Sequence, residues 1–250
     1  MSISLKSLQA PERGKPLTFT IVADGGMGKT TLGSLFPSPV FVRSEDGTES
    51  IASRSDVALF PVASSVQDIL DAIAALATED HAFRTVVIDS VTKFALMVEG
   101  EVLASDPKAK GLNQAHGGYG NAFDLVAKYH AELRRACAYL STARRMNVVF
   151  LAHAATETID PPDGDPYTRY SIPMHKKSIP YYTNDVDVVA YIKQRTFTVG
   201  SEGKKKATTD GSRIITCYPT PSHVSKNRLG ISTDLAFVEG VNPFAEYLEA

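Results

Sequence analysis

Short apolar runs alternate with segments of helical periodicity along residues 17–153, and that alternation sets the expected fold. Leu17 to Val22 reads as a buried strand, followed by a glycine-rich turn. A helix starts at Lys29 and ends before Pro37 and Pro39, because proline lacks the N–H a helix needs and crowds the preceding turn. Val40-Phe41-Val42 is a second strand, and Val57 to Phe60 a third. Val66, Ile69, Leu70, Ile73, Leu76 and Ala77 share one helical face over 66–78. Thr85 to Ile88 forms another apolar strand, closed by Asp89 and Ser90. The loop Gly117-Gly118-Tyr119-Gly120 precedes a long helix over 121–145, striped by Phe123, Val126, His130, Leu133, Cys137 and Leu140. Asn147 to Ala152 is a further buried strand that ends at His153.

Strands alternating with helices predict an α/β fold, a mainly parallel sheet covered by helices on both faces. After His153 the texture changes. Residues 154–184 form a Pro-, Asp- and Tyr-rich connection, too long for an inert loop. Residues 186–199 and 212–218 read as strands of a C-terminal antiparallel hairpin, with Gly203-Lys204-Lys205-Lys206 at or near its tip. Residues 1–16, broken by Pro11, Gly14 and Pro16, are expected to be a flexible arm before a single domain over 17–250. No internal repeat and no second domain boundary are visible.

Composition narrows the class. The 250 residues are 43% hydrophobic and 22% charged, as in a soluble globular protein. No apolar run suits a membrane span, and the N-terminus lacks an apolar signal core, so a cytoplasmic protein is expected. Cys137 and Cys217 are far apart without metal-ligand spacing, which fits buried thiols in a reducing compartment. The net charge of −2 argues against a protein that coats nucleic acid, but it conceals a segregation. Residues 167–230 carry 11 Lys/Arg against 4 Asp/Glu, a composition suited to a polyanion-binding face as well as to ordinary solvation.

The candidate chemistry centres on residues 21–31, IVADGGMGKTT. Glycines there let backbone N–H groups turn inward around phosphate oxygens at the start of a helix. Asp24, Gly25, Gly26, Met27, Gly28, Lys29, Thr30 and Thr31 would cradle the phosphates of ATP, with Lys29 on the β- and γ-phosphates and Thr30 on Mg²⁺. In the pattern G-x-x-x-x-G-K-[ST] the first glycine falls on Ala23, a small substitute. Asp89, closing an apolar strand, suits the carboxylate that supports Mg²⁺. Glu45, just past the strand after the phosphate-loop helix, is placed to polarise the attacking water, in preference to Asp46 or Glu49. His153, at another strand tip, is placed to sense the γ-phosphate, or else is a structural histidine. His116 is expected to serve locally.

These segments resemble the RecA-like branch of P-loop ATPases: ADGGMGKTT, FVRSEDG (41–47), VVIDSVT (86–92) and VVFLAHA (148–154) carry the resemblance. Ser225-Lys226-Asn227-Arg228-Leu229-Gly230 is similar to the Lys-x-Arg-x-Gly element that RadA- and DnaB-type proteins place at a subunit boundary. The resemblance implies that Lys226 and Arg228 act on the nucleotide of an adjacent protomer. Together the motifs span 17–230 and look most like compact phage-encoded ATPases of single-strand annealing and recombination.

The resulting expectation is a phage-derived, Mg²⁺-dependent ATPase in a bacterial cytoplasm, assembled as a ring or filament and bound to single-stranded DNA. Residues 111–120, the 154–184 connection and the Lys204–Lys206 segment are the candidate DNA contacts. Tyr119, Tyr167, Tyr170, Tyr181 and Tyr182 would stack bases, and Arg169, Lys176 and Lys177 would meet phosphates. Other readings remain: a replication motor or helicase-loading ATPase with recombination or replication partners, a nucleotide switch without turnover, and a small-molecule kinase.

Overall fold

The computed structural model describes residues 4–8, 14–199 and 206–248. Its elements run β1 (Thr18–Ala23), α1 (Lys29–Ser34), β2 (Pro39–Arg43), β3 (Ala58–Val62), α2 (Val66–Thr78), β4 (Thr85–Asp89) and α3 (Val91–Ala104). There follow α4 (Asn121–Ala143), β5 (Asn147–His153), β6 (Ala155–Ile159), β7 (Tyr167–Ser171) and α5 (Pro180–Thr183). The chain closes with β8 (Val188–Val199), β9 (Lys206–Thr216), β10 (Lys226–Asn227), β11 (Leu235–Phe237) and α6 (Ala245–Leu248). Gly203, Lys204 and Lys205 of the expected basic tip lie outside the described residues, as do residues 1–3 and 9–13 of the expected arm. Among the described residues no helix is long and apolar enough to cross a membrane.

The α/β architecture expected from the pattern, a mainly parallel sheet with a C-terminal antiparallel hairpin, is present. The main sheet has the order β11-β9-β8-β1-β5-β4-β2-β3, with β10 also paired to β8. From β8 to β3 every neighbour is parallel, while β9, β10 and β11 are antiparallel additions. Alternation along each strand feeds two apolar layers. Val22, Val86, Ile88, Val148, Phe150 and Ala152 face α2, α3 and α4. Phe19, Ile21, Val87, Val149 and Leu151 face Leu32 of α1 together with Phe36 and Phe244.

Parallel pairing brings the carboxyl ends of β1, β5, β4 and β2 to one edge. Ala23 lies beside His153, and Asp89 lies between Leu151 and Arg43. Loops leaving such an edge form the usual ligand crevice of a parallel sheet. Strand β5 is inserted between β1 and β4, which puts His153 between the glycine loop and Asp89.

The structure adds two elements to those expected and corrects one helix face. Residues 91–104 form a helix that the pattern did not reveal, burying Val91, Phe94, Ala95, Val98 and Val102. The 154–184 connection, expected to be more than an inert loop, holds an antiparallel hairpin, β6–β7. Phe123 is not part of the buried stripe of α4; Ala122 takes that place and Phe123 stacks on His175 with centroids 3.9 Å apart.

Candidate functional site

The glycine loop leaves β1 at Ala23 and enters α1 through Gly28, whose φ of 93° belongs to the left-handed region that favours glycine. No side chain caps α1. Lys29 folds back over the loop, its Nζ donating to the carbonyls of Ala23 at 3.0 Å and Asp24 at 2.9 Å. Thr30 Oγ1 donates to Asp89 Oδ2 at 2.9 Å, joining the loop to the tip of β4. The substitution of Ala23 for glycine leaves this strand end fully buried.

Glu45 is fixed by the tips of β2 and β4. Ser44 N donates to the Asp89 carbonyl at 2.8 Å, and Ser90 N donates to Ser44 Oγ at 3.1 Å. The Asp89–Ser90 peptide is cis. Ser90 Oγ then donates to Glu45 Oε1 at 2.9 Å. Asp46 is occupied by Arg43 at 3.1 Å, so the carboxylate turned toward the loop at this tip is Glu45. Glu49 borders the same cavity.

His153 links the two halves. Its Nδ1 is 3.5 Å from Lys29 Nζ, and its Nε2 is 3.4 Å from Glu45 Oε1. A proton on Nε2 satisfies both contacts, since Lys29 can then donate to Nδ1. Both are at the long end of hydrogen-bond distance. The His153 backbone N–H donates to Thr92 Oγ1 at 2.8 Å, so α3 sets its position.

The cavity among these groups measures about 560 Å³, within the size range of small-molecule sites. Burial dominates its electrostatics. It pushes the Lys29 amine below its ordinary range, against the attraction of Asp89, Glu45 and Asp24. It pushes the Asp89 carboxyl up, with the Thr30 hydrogen bond opposing and Glu45 adding to the rise. Thr30 and Asp89 fit Mg²⁺: both offer oxygen, and this ion characteristically takes one or two carboxylates plus substrate phosphates and water. No cluster of three or more His, Cys, Asp and Glu suited to a metal occurs among the described residues.

The structure therefore brings together Lys29, Thr30, Glu45, Asp89 and His153. It does not bring Lys226 and Arg228 to them. β10 pairs with Val188 and Val189 at the amino end of β1, about 17 Å of strand from the loop at roughly 3.3 Å per residue. There Arg228 Nη1 donates to Asp187 Oδ1 at 3.3 Å, and Lys226 Nζ donates to the Asn184 carbonyl. Burial, then Arg228, holds the Lys226 amine below its usual range.

The candidate DNA contacts divide. Tyr182 is completely buried, donating to or accepting from His130 Nδ1 at 2.7 Å, and cannot stack a base. Tyr181 packs against the core. Tyr119 is fully exposed, and Tyr170, though exposed, stacks on Tyr191. Arg169 pairs with Glu157 and Lys177 with Asp124, leaving Lys176 exposed. His116 bonds locally to Asp106 and the Val102 carbonyl, as expected.

Sequence reasoning passed over Ser44, Thr92 and Arg213. The first two adjoin recognised strand tips and were within reach of it. Arg213 arrives from β9, 186 residues from the Met27 carbonyl it touches, and no local pattern announces it.

The family model described as an AAA domain matches residues 15–229. No curated protein matches the chain. Among solved structures, a KaiC-like protein from the hyperthermophilic archaeon Pyrococcus horikoshii OT3 is 14% identical, with 91% of this chain and 88% of that chain covered at a TM-score of 0.46.

Proposed function

The chain belongs to the AAA-domain family of P-loop ATPases, and from that premise we propose that it is a Mg²⁺-dependent ATPase that binds single-stranded DNA in recombination, as phage-encoded relatives of this branch would in a host cytoplasm. The observation that supports hydrolysis is the convergence of Lys29, Thr30, Asp89, Glu45 and His153 on one cavity. Lys29 would hold the β- and γ-phosphates, and Thr30 and Asp89 would hold the metal, whose charge neutralises the phosphate oxygens. Glu45, held by Ser90, would orient and polarise the attacking water. His153, in reach of both Glu45 and Lys29, would respond to loss of the γ-phosphate. A carboxylate aimed at the phosphate site favours hydrolysis over transfer to a small acceptor.

The DNA part rests on placement. β6 begins two residues after His153, and β8 runs past its last β1 partner, so both hairpins stand on the nucleotide edge. Exposed Tyr119 in the loop before α4, Tyr167 on β7 and Lys176 after β7 would supply stacking and charge. ATP turnover measured with and without single-stranded DNA, beside a sizing measurement in the same buffer, tests the reading. Stimulation by DNA together with an assembled species is expected. Turnover indifferent to DNA, with no DNA bound in the presence of ATP, would remove the recombination assignment; duplex unwinding would move it to a replication motor.

A further inference from the structure

Arg213 belongs to no motif, yet its guanidinium faces the glycine loop from β9. Nη1 donates to the Met27 carbonyl at 3.2 Å, and the guanidinium carbon sits 4.5 Å from the centre of the Phe237 ring. Phe237 is the cross-strand partner of Arg213 on β11, so strand register holds the cation against the aromatic face. A Cβ at Gly28 would come within 2.5 Å of Nη1, so the absence of a side chain there lets the guanidinium lie directly against the loop.

No ion pair joins Arg213 to a described carboxylate, and the residue borders the cavity that holds Lys29 and Thr30. A guanidinium has five N–H donors, and Met27 takes one. This leaves a fixed, incompletely bonded cation at a site shaped for a polyanion. Arg213 also pairs with Gln194 of β8, beyond that strand's last partner on β1 and where its ladder with β9 shifts register before Thr196. From Gln194 to Val199 β8 is exposed.

We propose that Arg213 contacts the polyphosphate of a nucleotide bound to its own chain, exchanging the Met27 carbonyl for phosphate oxygens and so tying the β8–β9 hairpin to occupancy of the loop. The proposal rests on the nucleotide-binding reading of this site. It gives the projecting hairpin a direct connection to the nucleotide, separate from the β5 tip at His153.

The test uses the whole chain, a fluorescent ATP analogue, and inorganic tripolyphosphate as competitor. Arg213→Gln keeps a donor for Met27 but removes the charge, and Arg213→Ala removes both. Both variants are expected to lose on the order of tenfold in affinity for the analogue and for tripolyphosphate, the scale of one charge-assisted contact. Hydrogen exchange over 193–216 is expected to slow when the analogue binds the parent chain and to remain unchanged in both variants. Parent-like affinity in Arg213→Gln would overturn the proposal while leaving nucleotide binding intact. A loss seen with the analogue but not with tripolyphosphate would also overturn it, placing the contact on the base. A parent chain that binds neither probe would overturn the nucleotide reading itself, and this inference with it.

Discussion

Glu45 shows how little of a catalytic geometry resides in the catalytic residue. Its Oε1 is held by Ser90 Oγ at 2.9 Å, and Ser90 is held by Ser44 across two strand tips. Replacing Glu45 with Gln keeps the volume and the hydrogen bond from Ser90 but removes the charge that would polarise water. Turnover should fall by roughly 10²–10⁴, the range typical of a lost general base, with ATP affinity nearly unchanged. Ser90→Ala should give a smaller loss in turnover, again with affinity retained, because it releases Glu45 without neutralising it. Steady-state kinetics paired with equilibrium binding separates these outcomes. Unchanged turnover in Glu45→Gln would transfer the role to another group, with Glu49 a further glutamate on the cavity wall.

At the scale of elements, legibility followed how each element meets the core. β4 is buried from end to end and β1 and β5 at all but one terminal residue, so their apolar runs announced them and their polar tips marked Asp89 and His153. α3 was hidden because its apolar residues are not confined to one face: Leu96 is 58% exposed and blurs the stripe formed by Phe94, Val98 and Val102. β6 and β7 form a separate two-stranded sheet, bridged to the chain at His223 through Tyr170, and their hairpin showed itself only as the turn residues Pro161-Pro162-Asp163-Gly164. The junction of α4 with α5 was also invisible, since it depends on one buried pair, His130 and Tyr182. Burial lowers the His130 pKa to about 4, and the same cause brings His223 to about 4. The folded chain thus keeps both rings neutral where the unfolded chain begins to protonate, below the ordinary histidine value of 6.5. Their contribution is complete above pH 6.5 and is lost as pH falls toward 4, so unfolding free energy should drop across that window. His130→Asn, which does not titrate, should flatten the slope; an unaltered slope would exclude His130 as a cause. Tyr182→Phe leaves His130 Nδ1 without its partner and should cost about 1–3 kcal/mol at pH 7 by denaturant titration, with nucleotide affinity preserved.

For the whole molecule, the decisive relation is the separation between the glycine loop and the Lys226/Arg228 pair at opposite ends of β1 and β8. No side chain spans that length, so any role for the pair in phosphoryl transfer belongs to a neighbouring copy. A head-to-tail contact, repeated into a ring or filament, would set the lower edge of one sheet against the upper edge of the next. Arg228 is 58% exposed in its side chain even while paired with Asp187, which leaves it available to such a neighbour. The trans arrangement makes a demanding prediction. Arg228→Ala should lower turnover by roughly 10³, the lower end for a lost arginine finger, while each chain still binds nucleotide. Lys29→Ala should abolish binding in its own site but leave its Arg228 intact. Mixing the two inactive variants should therefore restore part of the activity, because an intact loop from one chain then meets an intact Arg228 from the other. Asp187→Asn serves as the control for local disturbance, since it disrupts the ion pair with Arg228 while leaving that arginine in place. Turnover independent of protein concentration, with no recovery on mixing, would confine catalysis to the single chain and leave Arg228 as a partner of Asp187 alone.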